Sequence, residues 1–240
     1  MRLIAVIQAR LGSERLPSKV LMPLAGRPVL EHVVRRVQRS GAFDEVVVAT
    51  TDNARDDPLA EAAAALGATV VRGSEEDVLS RFLLAAETTG ADALARITAD
   101  CPLVDPHILA AMAERFRAEP CDLLTNARKR SFPRGLDAEF VTVAALRIVA
   151  EQGREQRHRE HVTLWLYENQ DRVGIEDHIG APDRSGWRWT LDTPEDFELL
   201  EAMTTALPDP VAADYPTLAR LYADHPTWHA INAHIEQKKA

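Results

Sequence analysis

Ala5–Leu21, AVIQARLGSERLPSKVL, decides how the rest of the chain is read. The apolar run from Leu3 to Ile7 has the continuous hydrophobic character of a buried strand. It stops at Gln8 and opens into a loop carrying Arg10, Gly12, Ser13, Arg15 and Lys19. Gly12 lets the backbone approach a ligand closely, and Pro17 stiffens the loop. Three cations on one short loop need an anion to hold them together. A polyphosphate fits, because strand, glycine and cations occur in the order a phosphate site requires. The plainer alternative is a solvated basic loop.

Working outward, apolar runs recur at intervals suited to alternating strands and helices. Arg2–Gln8, Glu45–Thr51, Ala68–Arg72 and Asp92–Thr98 read as strands, separated by helical spacing over Val29–Val37, Pro58–Leu66 and Glu76–Glu87. A further helix is expected from Pro106 to Arg117. This alternation predicts an α/β fold with a mainly parallel open sheet and helices on both faces. The second half is less regular. Asp122–Asn126 and Ala138–Val143 read as strands around a polar segment, and Arg159–Glu168 as a helix. Val173–Ile179 and Trp187–Leu191 suggest a smaller antiparallel excursion or an added strand. Thr193-Pro194-Glu195-Asp196 supplies a capping threonine, a proline at the first helical position and carboxylates in the first turn, so a helix should run to Leu207. Two short helices broken near Pro226 are expected from Pro216 to Lys239. No repeat or linker interrupts the chain, and one domain over residues 1–240 is expected.

Composition narrows the classes. No apolar run approaches the ~20 residues needed to span a bilayer, and Met1–Ile4 passes directly into a strand without a leader's cleavage region. A cytoplasmic location and no membrane partner are expected. Two cysteines, Cys101 and Cys121, argue against a disulfide scaffold or zinc site and read as buried thiols. The net charge of −9 argues against general nucleic-acid binding. Residues 1–39 hold eight Arg or Lys against Glu14 and Glu31, a charge of +6, which leaves −15 for the remainder. A basic end on an acidic chain suggests a focused site for a small anion.

Asp100 sits where the strand Asp92–Thr98 ends, in Arg96-Ile97-Thr98-Ala99-Asp100-Cys101-Pro102. Ligands of open α/β sheets gather outside the carboxyl ends of the strands. A carboxylate there is placed to hold magnesium bridging phosphate oxygens, although a turn aspartate before proline is common. Asp192 precedes the helix start and could be a simple cap, a role Thr193 already offers. The chain has no G-x-x-x-x-G-K-[ST] and no G-x-G-x-x-G, so neither a P-loop nor a dinucleotide enzyme is supported. A nucleotide-sugar glycosyltransferase commonly holds its metal with Asp-x-Asp, and no two aspartates here are separated by one residue.

The opening segment resembles the signature A-R-x-x-S-x-R-L-P-x-K of the cytidylyltransferases that activate sugar acids, and above all their SpsF-like relatives in surface polysaccharide biosynthesis. Ala9, Arg10, Ser13, Arg15, Leu16, Pro17 and Lys19 fill every fixed position, while the Gly common before the Lys is Ser18. The resemblance implies a nucleotide-diphospho-sugar-transferase-like fold whose loop, with Gly12, wraps the triphosphate of CTP. It implies that Asp100 and Asp192 complete a site for one or two magnesium ions. Arg72, in a phrase Arg72-Gly73-Ser74 followed by Glu76-Asp77-Val78-Leu79-Ser80-Arg81, and Thr98 are implied nucleotide contacts; Arg81 is equally a surface or ion-paired cation. The sugar side is implied by Arg134 and the Gly135-Leu136-Asp137-Ala138-Glu139 phrase, with Arg159 and His161 as further contacts. The expected reaction transfers CMP from CTP to a hydroxyl of a sugar acid, of the nonulosonic type, with release of pyrophosphate. A homodimer is the expected assembly. Transfer to another acceptor, a glycosyltransferase of the same architecture, or a non-catalytic nucleotide-binding partner are the alternatives.

Overall fold

A computed structural model describes residues 1–13, 15–119 and 121–237. Glu14, counted above in the basic end, and Lys238 and Lys239, in the expected tail helix, lie outside the described residues. The first strand, β1 (Leu3–Gln8), sets the architecture. Leu3, Ala5 and Ile7 enter one apolar core and Ile4 and Val6 the opposite one. A strand buried on both faces has no polar side to show, which is why it reads as an unbroken apolar run.

After β1 come a short hairpin, β2 (Pro23–Leu24) and β3 (Arg27–Pro28), and helix α1 (Val29–Arg39). Then follow β4 (Glu45–Thr51), α2 (Asp57–Ala65), β5 (Thr69–Gly73), α3 (Val78–Thr89), β6 (Ala93–Thr98) and α4 (Pro106–Ala118). The second half comprises β7 (Leu123–Thr125), β8 (Glu139–Thr142), α5 (Val143–Gln152), α6 (Gln156–Glu160), α7 (Leu164–Glu168), β9 (Ile175–Asp177), α8 (Pro194–Thr205), α9 (Tyr215–Asp224) and α10 (His229–Asn232). Seven strands form one sheet in the order β5-β4-β1-β6-β8-β7-β9. Only β8 runs against the others, pairing antiparallel with both β6 and β7. Side chains of α1, α2, α4, α8 and α9 fill the core on one face, and those of α3, α5 and α7 the core on the other. No helix among the described residues is long and apolar enough to cross a membrane.

Several second-half expectations change. The helix expected over Arg159–Glu168 is two short ones, α6 and α7, parted by a turn at His161–Thr163 where Leu164 N–H donates to the His161 carbonyl at 2.7 Å. Of the two alternatives for Val173–Ile179, the added strand is the one observed: β9 joins the sheet beside β7 in parallel pairing. Trp187–Leu191 is an extended connection held by one bridge, Arg134 to Arg188, not a strand. Helix α5 lay hidden behind the strand before it. Thr142 ends β8 and also caps α5, accepting from Ala145 N–H at 3.1 Å, so the strand's apolar pattern runs straight into the helix's. Cys101 is buried as expected, but Cys121 is only partly so.

The loop before β8 is fixed by Gly135, whose φ of +105° and position against Trp189 both demand glycine. A Cβ there would sit 2.5 Å from the Trp189 carbonyl carbon and oxygen. Gly135→Ala should therefore cost about 2–4 kcal/mol. At Gly186 an added Cβ meets nothing within 4 Å, and Gly186→Ala should stay within ~0.5 kcal/mol of the parent. Thermal unfolding of the two variants measures the difference, and equal midpoints would contradict the close approach.

Candidate active site

The loop after β1 is built on a buried carboxylate. Leu11 N–H donates to Asp56 Oδ1 at 2.8 Å, and the Thr51 hydroxyl donates to the same fully buried aspartate. The loop closes where Ser18 N–H reaches the Leu11 carbonyl at 3.1 Å. Ser18 has φ +56°, the left-handed region in which glycine is at ease, so the residue that departs from the signature carries about 1–2 kcal/mol of backbone strain. The close approach that Gly12 permits is to Arg55: a Cβ at Gly12 would lie 2.6 Å from that guanidinium.

Lys19 begins a short 3₁₀ turn and reaches across the strand ends. Its ammonium donates to Asp100 Oδ2 at 2.7 Å, to Asp192 Oδ1 at 2.9 Å and to the Leu191 carbonyl at 2.7 Å. The two aspartates, far apart in sequence, thus converge within a few ångströms. Backbone contacts secure that convergence, because Leu191 N–H donates to the Asp100 carbonyl at 2.8 Å. Asp192 is also paired with Arg15 at 3.2 Å and with Arg188 at 3.1 Å. Burial alone would raise the Asp192 carboxyl, but Lys19, Arg15 and Arg188 outweigh it and hold it below the usual carboxylate range. Burial alone would likewise lower the Lys19 ammonium, and the two carboxylates hold it above its ordinary value.

Arg188 is oriented from behind. It donates from Nε and Nη2 to the two oxygens of the fully buried Asp196, each at 2.8 Å. Asp196 also completes the capping box of α8 with Thr193. Asn232 of α10 closes the network, donating to Asp196 Oδ1 at 2.9 Å and to the Arg188 carbonyl at 3.0 Å.

Two clefts meet at Asp100, and Asp192 lines the second of them. The first, of about 710 Å³, is lined by Ala9, Arg10, Gly12, Ser13, Arg15, Lys19, Thr98 and Asp100, every expected nucleotide contact except Arg72. The second, of about 590 Å³, is lined by Arg134, Asp137, Glu139 and Asp192. Arg15, Thr98, Asp100 and His161 border both. Two expected contacts are not brought in. Arg72 is turned back on its own sheet edge, donating to the carbonyls of Thr51 and Asn53 and pairing with Asp57 at 2.7 Å. Arg159 donates to the Ala150 carbonyl at 3.0 Å and faces Asp77. Both read as substrate cations from sequence because nothing in sequence reveals a carbonyl that will claim them.

In the second cleft the charges sort themselves. Glu139 is buried and accepts from Arg96, from Thr163 Oγ1 at 2.9 Å and from the Tyr167 hydroxyl. Burial and the Glu139 charge together push the Tyr167 hydroxyl's pKa far up, so it stays a donor. Arg130 pairs with Asp137, and Arg128 with Asp177 at 2.6 Å. Arg134 has no carboxylate partner among the described residues; burial and the neighbouring Arg130 both depress its pKa. His161 is lowered chiefly by burial, and its ring makes no hydrogen bond among the described residues, so a neutral imidazole borders both clefts. Sequence reasoning missed Arg96, Arg188, Asp196 and Tyr167. Only Asp196, in the helix-start phrase, carried a signal.

Magnesium is held through one or two carboxylates with substrate phosphate oxygens completing its shell. Asp100 and Asp192 fit that donor set. Among the described residues no group of three His, Cys, Asp or Glu could enclose a metal without substrate oxygens.

A cation-lined loop at the end of a parallel sheet, facing a carboxylate pair at the border of a second cleft, defines a nucleotidyl-transfer class of fold and site. Comparison with known proteins agrees. Residues 4–213 match the cytidylyltransferase family model. The chain is 34% identical over 238 residues to the spore coat polysaccharide biosynthesis protein SpsF of Bacillus subtilis, covering 94% of this chain and 97% of that protein. It is 40% identical over 122 residues to the 3-deoxy-manno-octulosonate cytidylyltransferase of Synechococcus elongatus, about half of either chain (49% and 48%). A solved cytidylyltransferase from Leptospira borgpetersenii superposes with a TM-score of 0.92 at 32% identity over 100% of both chains. The protein belongs to the cytidylyltransferase family. It is a CTP-dependent nucleotidyltransferase.

Lys19 occupies the gap between the two carboxylates, so it competes with any cation they would share. Lys19→Met should lose about 1–3 kcal/mol without divalent ions, because two half-sheltered carboxylates are left facing each other. Manganese should then raise the variant's unfolding midpoint more than the wild type's. Equal shifts in the two proteins would show that the carboxylates are not the divalent site.

Proposed function

We propose that the chain transfers CMP from CTP to a hydroxyl of a sugar acid, releasing pyrophosphate, for surface polysaccharide synthesis, with the whole chain acting as one transferase unit. The observation that carries this reading is the meeting of the two clefts at Asp100, with Asp192 lining the second; the first is lined by the phosphate loop, and the second keeps a guanidinium, Arg134, with no carboxylate partner among the described residues. The names of the SpsF and octulosonate relatives support it.

In this reading the acceptor oxygen attacks the α-phosphorus in line. The bond from that phosphorus to the β-phosphate oxygen breaks, and pyrophosphate leaves. Arg10, Arg15 and Lys19 hold the triphosphate and offset charge growing on the leaving group. A magnesium ion held by Asp100 and Asp192 would supply Lewis-acid polarisation of the α-phosphate. Arg134 pairs with the acceptor's carboxylate, Asp137 accepts from its hydroxyls, and Glu139 keeps Arg96 and Tyr167 in place along the wall. Neutral His161, at the border, accepts from the hydroxyl and leaves its oxygen lone pair facing phosphorus. Thr98 lines the same border.

Pyrophosphate release from CTP with a panel of sugar acids and their neutral alcohol analogues tests the reading. Asp100→Asn should lower kcat by about 10²–10³ with the fold intact. Arg134→Met should raise the acceptor KM by about 10–100-fold while the KM for CTP stays near wild type. Turnover with phosphorylated polyols but with no sugar acid would replace the acceptor class and keep the nucleotide.

A further inference from the structure

Residues past the matched family model, which covers 4–213, return to the second cleft. Helix α10 is pinned beneath it by Asn232, only 2% exposed, which donates to Asp196 and to the Arg188 carbonyl. Further on, Gln237 Oε1 accepts from Arg188 Nη1 at 2.6 Å. Arg188 is itself buried, with its other nitrogens on Asp192 and Asp196. An exposed glutamine is therefore held in place by a fixed, buried cation.

That contact also orients the amide. A guanidinium has only donors, so the amide oxygen must face Arg188 and the NH2 group must face elsewhere. Among the described residues this NH2 makes no hydrogen bond, and Gln237 lines the second cleft. Its neighbour there is Arg134. A backbone bridge pairs Arg134 with Arg188, secured by Arg134 N–H on the Trp187 carbonyl at 2.9 Å and Trp189 N–H on the Arg134 carbonyl at 2.7 Å. Directly paired residues project to the same face. Arg134 and Gln237 are also the two described residues that line both the second cleft and a recess of about 270 Å³ beyond it. One rim of the cleft thus carries a guanidinium without a carboxylate beside an amide NH2 without an acceptor.

We propose that Gln237 is an acceptor-specificity residue, its NH2 donating to the acid group of the acceptor beside Arg134. The inference rests on the sugar-acid reading of the second cleft. A carboxylate accepts on both of its oxygens, so a guanidinium and an amide can share it, whereas a neutral alcohol in the same place offers one oxygen. The amide adds this second donor without adding charge next to Arg134 and Arg188. Gln237 does not line the first cleft, so it acts on the choice of acceptor and not on the nucleotide.

Pyrophosphate release tests this in wild type, Gln237→Glu and Gln237→Met. KM is measured for CTP and for the sugar acid that wild type turns over best, from a panel that includes 3-deoxy-manno-octulosonate and N-acetylneuraminate. Glutamate keeps an oxygen on Arg188 but replaces the free NH2 with a carboxylate oxygen, and methionine removes both groups. Substitution at this exposed position should leave the unfolding midpoint near the parent's. The acceptor KM should rise about 3–10-fold in Gln237→Met and at least ~10-fold in Gln237→Glu, where like charges meet. The KM for CTP should stay near wild type in both. A glutamine that only holds Arg188 gives the reverse order, with Gln237→Glu near wild type and Gln237→Met impaired, and that order would overturn the proposal. So would an unchanged acceptor KM in both variants, or parallel rises in the KM for CTP and for the acceptor. A wild type that turns over no sugar acid of the panel would instead remove the acid-group reading beneath the inference.

Discussion

Lys19 holds Asp100 and Asp192 against each other, and through them it ties three separate parts of the chain to one point. The loop after β1 delivers the lysine, the turn after β6 delivers one carboxylate, and the segment before α8 delivers the other. Two carboxylates this close repel, and the arrangement stands only while cations lie between them. Lys19, Arg15 and Arg188 meet that requirement together. The sheet explains why they can. β1 and β6 are hydrogen-bonded neighbours in parallel register, Gln8 opposite Thr98, so the loops leaving their carboxyl ends emerge side by side.

Arg188 carries the same logic one layer deeper. Its partner Asp196 has no exposure, and it serves at once as cap of α8, anchor of Arg188 and acceptor for Asn232. A buried ion pair is worth little for stability by itself, but removing one member leaves an unpaired buried charge. Each member is therefore held by the others, and the orientation of Asp192 becomes a property of α8 and α10 as well as of its own loop. Residues 214–240 lie beyond the matched family model, yet Asn232 is wired to this carboxylate site.

The parallel half of the fold was legible because its physics is local. β1, β4 and β6 are buried on both faces and read as apolar runs, and Thr193-Pro194 announces α8 through its own capping chemistry. α5 was not legible, since one threonine both ends a strand and starts a helix. The hairpin β2–β3 turns at Ala25 and Gly26, both at positive φ, and an alanine gives no sign of that. In the site, residues whose position is set by the end of a strand, Arg10, Lys19 and Asp100, could be placed at the cleft from sequence. Residues whose role depends on what stands opposite could not. Arg72 and Arg134 are both arginines beside a glycine in the sequence, yet backbone carbonyls and Asp57 claim the first, and among the described residues no carboxylate claims the second.

That contrast extends to every cation lining the two clefts. Arg10 is matched by Glu75, Arg15 by Asp192, and Lys19 by both aspartates. Arg96 is matched by Glu139, Arg128 by Asp177 and Arg130 by Asp137. Among the described residues, Arg81 in the first cleft and Arg134 in the second remain without a carboxylate. A cation already matched can be lent to a ligand only by breaking its pair, so it contributes to binding the difference of two interactions. An unmatched, sheltered guanidinium gives its full interaction to whatever ligand group faces it. By neutralising the other arginines, the acidic remainder of the chain leaves one guanidinium per cleft without a carboxylate among the described residues.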